Sequence, residues 1–332
     1  MKNALEIGVI GCGNIGTGVH LPILSSLDTV RIAFIADTRD PKDVAKLYKV
    51  PGVKPTDDLS SLPACDVVVL AIPVGVREEY IKEFSRRGTA IFSEKPFALN
   101  ATQHRTFLSF NDRMTCNYAS IYSNAVRQLR EIIRSNVFGE LREAVITEGG
   151  LIGRTGLEKD HYQTDVGLSG GGILIERGCH AITVINFLFE GYTLKTEKAT
   201  AICQGKLDLD VEAHICVRGP GVDAMLRYHI SYIRPVKNLA RFVFQYGTVE
   251  FNHTNFGPPI AVKTNRNHFS FSINPDPQWA RSRKHAFYLK WNSFLKAIVD
   301  KSSLNCELET SLATTLLIED IYRTGRVWQR QD

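Results

Sequence analysis

The stretch Gly11-Cys-Gly-Asn-Ile-Gly16 limits what this chain can fold into more than any other. It follows an apolar run, Leu5 to Ile10, and leads into a helical segment. Strand, glycine turn and helix in that order make the first half of a dinucleotide-binding βαβ unit. Gly11 permits the tight turn, Gly13 lets the backbone approach a pyrophosphate, and Gly16 allows close packing of helix on strand. The exposed amides of the turn, with Cys12, Asn14 and Ile15 between the glycines, and the positive helix end then hold the phosphates. Asp37 ends the second strand, 21 residues past Gly16, where a carboxylate accepts an adenosine ribose hydroxyl and repels a 2′-phosphate. That favours NAD. Arg39, which follows Thr38, is a residue type that accommodates the 2′-phosphate, so NADP stays possible.

Further βα repeats follow. Val30 to Ala36, Asp66 to Ile72, Thr89 to Ser93 and Met114 to Tyr118 are short and rich in Val and Ile, as strands buried on both faces should be. Between them, Val76 to Arg87 places Tyr80, Ile81 and Phe84 on one helix side before Gly88. Asn100 and Gln103 start the helix Ala101 to Phe110 with a cap and capping box. The repeats predict a doubly wound parallel sheet. After about residue 120 the pattern changes. One helix, Ser123 to Asn136, precedes strands at Glu140 to Thr147, Ala199 to Gln204, Val211 to Val217, Val222 to Tyr232, Ala240 to Tyr246 and Thr248 to Phe251. In Val222 to Tyr232, Val222, Ala224, Leu226, Tyr228, Ile230 and Tyr232 alternate with Asp223, Met225, Arg227, His229 and Ser231, which predicts a largely antiparallel sheet with one buried face. Helices at Lys284 to Asp300 and Thr310 to Thr324 close this α+β domain.

With 332 residues and 44% hydrophobic content the chain has room for two cores of about 150 residues each. The apolar runs are far shorter than the ~20 residues that cross a bilayer, so a cytoplasmic protein is expected. A formal charge of +5 is spread along the chain, which argues against a nucleic-acid surface but suits an anionic cofactor. Seven cysteines without a C-x-x-C pair suggest neither zinc nor a disulfide framework. In GGGILIERGCH, residues 170 to 180, Glu176 and His180 are four apart and share a helix face. The spacing alone fits a metal pair, acid-base chemistry or an ordinary buried helix. No third metal ligand is apparent in the sequence, so no metal is expected.

Several landmarks occur in order: GCGNIG with His20-Leu-Pro22 behind it, Asp37, Ala71-Ile-Pro73, Glu94-Lys95-Pro96, GGGILIERGCH and Leu317-Ile-Glu-Asp-Ile-Tyr322. Together they resemble the Gfo/Idh/MocA family, the glucose-fructose oxidoreductase and inositol dehydrogenase group, over essentially the whole chain. The resemblance implies a Rossmann domain at 1–119 and an α+β domain at 120–332 whose open sheet serves as a homodimer or homotetramer face. It also implies hydride exchange between a nicotinamide and a carbon of a sugar, sugar nucleotide or cyclitol. Ala71, Ile72, Pro73, Glu94, Lys95 and Asn117 would border the cofactor, with Lys95 beside the nicotinamide and His180 as acid-base. Elementary chemistry agrees, since alcohol oxidation needs a base with a pKa near working pH and a cation for the developing alkoxide.

Glu176 would orient the His180 ring or stabilise its charged form, and the glycines Gly170 to Gly172 would give its helix a side-chain-free entrance where backbone approaches ligand. The loop Leu151 to Ser169, with Arg154, His161, Tyr162, Gln163 and Asp165, would shape the sugar pocket together with Tyr118 and Arg177. Glu176 stands where the family usually has aspartate, Arg177 and Cys179 are less usual, and Arg77 stands where histidine is common. These departures leave two other expectations open: a non-catalytic nucleotide-binding regulator, and a hydrolase or epimerase that uses bound NAD in a transient oxidation.

Overall fold

The computed structural model describes residues 4–55, 58–150, 162–256, 258–265 and 269–330, apart from the side chains of Asn305 and Cys306. The chain divides into two compact units, residues 1–117 with 290–309 and residues 118–289 with 310–332.

In the first unit, strands β1 (Leu5–Ile10), β2 (Val30–Ala36), β3 (Gly52–Val53), β4 (Val67–Leu70), β5 (Ala90–Ser93) and β6 (Met114–Cys116) form one parallel sheet. Their order is β3-β2-β1-β4-β5-β6. The direction of winding reverses between β1 and β4, and ligands of such sheets bind outside the carboxyl ends at that point. Every residue of β4 and β5 is buried, which is why these runs are apolar without alternation. The helix Arg77–Arg86 buries Ile81 and Phe84. Gly88, at φ +71°, then reverses the chain in a conformation that costs glycine little. Asn100 Oδ1 accepts the Gln103 amide at 2.8 Å, which satisfies one orphan donor of helix Ala101–Phe110, and Gln103 Oε1 accepts the Leu99 amide just before the cap at 2.8 Å.

Residues 290–309 complete this unit. Trp291 stacks on Phe92 of β5 with centroids 3.9 Å apart. Lys290, 1% exposed, donates from Nζ to Thr115 Oγ1 of β6 at 2.6 Å and pairs with Glu307. A buried ammonium costs several kcal/mol unless it is paired and hydrogen-bonded, and both conditions are met here.

The second unit holds β7 (Leu141–Gly149), β8 (Thr193–Gln204), β9 (Leu207–Gly219), β10 (Val222–Ser231), β11 (Leu239–Phe244), β12 (Gly247–Phe251), β13 (Ile260–Thr264), β14 (Ser270–Ile273) and β15 (Gly325–Gln329). The sheet runs β14-β13-β12-β11-β7-β10-β9-β8-β15. The β7/β10 and β8/β15 pairs are parallel and the other neighbours are antiparallel. Along β10, Val222, Ala224, Leu226, Tyr228 and Ile230 are buried while Asp223, Met225 and Arg227 are exposed, as the alternation predicts. Both parts of the predicted fold class are therefore present. Strands β3, β13, β14 and β15 were not anticipated, and β14 is exposed along most of its length and so shows no buried period. Among the described residues no helix is long and apolar enough to cross a membrane.

Candidate functional site

The glycine turn is built by close approach. A Cβ on Gly11, whose φ is +105°, would lie 2.3 Å from the Ala71 carbonyl oxygen, and one on Gly16 would lie 2.1 Å from that of Gly11. Gly13 faces open space with nothing within 4 Å. The outer glycines are thus occupied by protein packing, which brings Ala71 and Ile72 to the turn, and Gly13 is left bare for a ligand's phosphates. Asp37, 8% exposed, accepts the Cys12 amide on Oδ2 at 2.6 Å and the Arg39 amide on Oδ1 at 2.8 Å. Burial opposes its charge, but the two amides and the Arg39 guanidinium outweigh burial and hold the carboxyl below its ordinary range. A carboxylate has about four lone-pair sites, so acceptor capacity remains for a ribose hydroxyl. The Arg39 side chain is 76% exposed, with Nε 3.4 Å from Asp37 Oδ1. Burial and the Asp37 charge push the Cys12 thiol up to about 11, so it is not a thiolate nucleophile at neutral pH. The turn and its carboxylate fit a dinucleotide.

At the carboxyl end of β5 the chain turns through Glu94, Lys95 and a cis peptide to Pro96. Glu94 points inward. Its Oε1 is 2.9 Å from His20 Nε2 and accepts the Asn117 amide at 2.5 Å, while Oε2 accepts the Lys95 N–H at 3.2 Å. Trp291 Nε1 donates to His20 Nδ1 at 3.1 Å, which makes that nitrogen an acceptor and puts the imidazole proton on Nε2, facing Glu94. Burial would raise the Glu94 carboxyl, but His20, Asn117 and Lys95 prevail and hold it down at about 2. Arg77, 2% exposed, lies under the same turn and donates to the Ile72 carbonyl from Nε at 2.9 Å and Nη2 at 2.7 Å. Its Nη1 donates to the Glu94 and Pro96 carbonyls, and Nη2 is 3.5 Å from the Lys95 carbonyl.

In the second unit the predicted Glu176–His180 helix differs from an ordinary one. Leu174–Gly178 is a π-helical turn, a widened form frequent at functional sites, and it passes into the α-helix Cys179–Leu188. His180 is half-buried in the first α-helical turn. Glu176 Oε2 accepts the Tyr232 hydroxyl at 2.8 Å and Oε1 accepts the Gln163 amide at 2.9 Å. Arg177 Nε lies 3.8 Å from Glu148, whose carboxylate also accepts the buried Tyr228 hydroxyl at 2.6 Å.

The backbone that Gly172 approaches closely is strand β9. A Cβ on Gly172 would lie 2.1 Å from the Asp208 carbonyl oxygen. The Asp208 carboxylate accepts the Gly172 amide at 2.9 Å and the Leu174 amide at 2.8 Å, capping the helix from a distant strand. Tyr322 donates to Asp208 Oδ1 at 2.8 Å. Gly171 and Gly170 take φ of +158° and +88°, the latter ending the short helix Val166–Ser169. Tyr118 is buried and Tyr162 exposed. Arg154 and His161 lie outside the described residues. Sequence reasoning gave no role to Asp208, Tyr232, Glu148 or Trp291, because each acts across long sequence separations. The sequence presents His20 only as a landmark and Arg77 only as a departure.

Residues 5–120 match the family profile described as "Oxidoreductase family, NAD-binding Rossmann fold", and residues 126–250 match the GFO/IDH/MocA C-terminal domain. The chain is 28% identical over 347 aligned positions to dTDP-3,4-didehydro-2,6-dideoxy-alpha-D-glucose 3-reductase of Actinomadura kijaniata, covering 97% of this chain and 96% of that protein. It is 26% identical to inositol 2-dehydrogenase of Rhizobium meliloti (strain 1021) over 157 positions, which cover 43% of this chain and 44% of the relative. Among solved structures, the 3-ketoreductase KijD10 from Actinomadura kijaniata, in complex with NADP and TDP-benzene, superimposes with a TM-score of 0.83 at 19% identity, over 99% of this chain and 100% of that one. The WlbA dehydrogenase from Bordetella pertussis, in complex with NADH and UDP-GlcNAcA, gives 0.78 at 16% identity, over 98% and 96%.

Proposed function

Because the chain belongs to the Gfo/Idh/MocA oxidoreductase family, we propose that it moves hydride between a nicotinamide dinucleotide and an alcohol or ketone carbon of a sugar, sugar nucleotide or cyclitol. The observation that carries this reading is the glycine turn: Gly11 and Gly16 are closed by protein, Gly13 is bare, and an ionised Asp37 lies beside them. A sugar-nucleotide ketone is favoured within that range, because the relative aligned end to end is a reductase of a dTDP-linked sugar.

The nicotinamide, when bound, supplies or accepts the hydride. Gly13, the Asn14 and Ile15 amides and Asp37 would hold the dinucleotide, the Cys12 amide being taken by Asp37, and Asp37 favours NAD. The Lys95 ammonium polarises the reacting oxygen and stabilises negative charge on it. His180 takes the hydroxyl proton in oxidation and returns it in reduction, a task suited to an imidazole near neutral pH. Glu176, steadied by Tyr232 and Gln163, orients the helix turn that precedes His180. Copies of the chain associate through the exposed face of the second sheet, around Met225 and Arg227, and Met225→Glu should lower the sedimenting mass.

The reading is tested by following absorbance at 340 nm with NADH and NADPH against inositols, hexoses and nucleotide-linked keto sugars. Lys95→Ala should lose turnover by about 10²–10⁴ while binding NADH within a few-fold. Full turnover in that variant removes Lys95 from the chemistry.

A further inference from the structure

Arg77 stands where the family resemblance leads one to expect a histidine, and it is buried at 2% exposure. Its donors converge on main-chain oxygens: Ile72, which follows β4, and Glu94, Lys95 and Pro96, which follow β5. A guanidinium offers five N–H donors in a rigid planar fork. Three consecutive carbonyls turned toward one fork leave the turn little freedom in φ and ψ. Glu94 works on the same peptide unit from the other side, because its carboxylate accepts the Lys95 N–H. Lys95 is therefore held at both backbone groups, the N–H by an anion and the C=O by a cation. The anion is itself fixed by His20, Asn117 and, through His20, Trp291.

We propose that Arg77 is a positioning residue: by gathering the carbonyls of residues 94–96 it sets the direction in which Lys95 leaves the end of β5. It touches no reacting atom. The inference rests on the role given to Lys95 above. Presentation of a catalytic group matters at this scale, since a displacement of about 1 Å can cost ~10²-fold in rate. A histidine, with two ring nitrogens, cannot span four carbonyls. Arginine here makes the turn rigid before any ligand binds.

The test uses the full-length chain carrying Arg77→Met or Arg77→Lys, saturated with NADH. Two quantities are read by peptide mass spectrometry: amide hydrogen exchange across residues 93–98, and acylation of Lys95 by acetic anhydride as a function of pH. Arg77→Met should speed exchange in that segment by about tenfold or more and alter the acylation profile. Exchange in Leu5–Ile10 and NADH affinity should stay within about threefold of the parent, which separates a loosened turn from a misfolded unit. Arg77→Lys keeps the charge but not the fork, so it should fall between the two. Parental exchange and acylation in Arg77→Met would overturn the proposal. Should Arg77→Met fail to fold, parental values in Arg77→Lys would overturn it equally. Full turnover in Lys95→Ala would instead strike the catalytic reading and leave the brace on residues 94–96 standing.

Discussion

Lys95 and His180, the two side chains given catalytic roles, sit on segments held in place by different forces. Around Lys95 the backbone is gripped by buried charge, with Arg77 on its carbonyl side and Glu94 on its amide. Around His180 order comes largely from missing side chains, because Gly172 brings the helix against β9, where Asp208 caps it. The difference has a physical consequence. A charge brace responds to protonation and to loss of a partner, whereas a seat built on close backbone approach is above all intolerant of added volume.

The largest expected effect tests the steric seat. In Gly172→Ala the new methyl meets the Asp208 carbonyl oxygen at 2.1 Å and its nitrogen at 2.4 Å, and backbone cannot move aside as a flexible side chain would. Overpacking of this kind should cost about 3 kcal/mol or more in urea unfolding. A loss below about 1 kcal/mol would break the comparison.

Glu94→Gln should come next, at about 2 kcal/mol, because the replacement presents an N–H₂ among groups that donate to the carboxylate. Its pH dependence sharpens the contrast. The folded carboxyl lies at about 2 against 4.5 for an ordinary glutamate, so its stabilisation is complete above pH 4.5 and is lost as pH falls toward 2. Thermal unfolding scanned over that interval should be steeper in the parent than in Glu94→Gln. Gly172→Ala leaves the Glu94 brace intact, so the part of the slope that Glu94 sets should remain.

Asp208→Asn should cost about 1–2 kcal/mol, since one capped amide would face an N–H₂ group in place of an oxygen. Tyr232→Phe should be the mildest, at about 1 kcal/mol. Equilibrium unfolding of both variants measures this.

Why some of this was legible in the sequence, and some not, follows from range. Strands β1, β2, β4 and β5 announce themselves because burial on both faces demands uninterrupted apolar residues. Strand β3 has only two residues and β14 is exposed, so neither carries a period. The tasks of Gly11 and Gly16 are set by contacts with one another and with the neighbouring strand, and their spacing reveals them. The Gly170 to Gly172 run misled, since its partner Asp208 is 36 residues away and no local pattern points to it. Arg77 stood out as a residue type, yet its acceptors are main-chain carbonyls, which leave no trace in side-chain identity. The ring contact between Phe92 and Trp291 was hidden for the same reason of distance.

That ring contact has a bearing on how the protein is made. Emerging from the ribosome at roughly 5–20 residues per second, the chain finishes β6 on the order of ten seconds or more before Trp291 is polymerised. During that interval Phe92 lacks its stacking surface and His20 its indole donor. A gene fragment stopped after residue 117 would reproduce that half-finished state permanently, so producing the nucleotide module by itself requires splicing residues 290–309 back onto it.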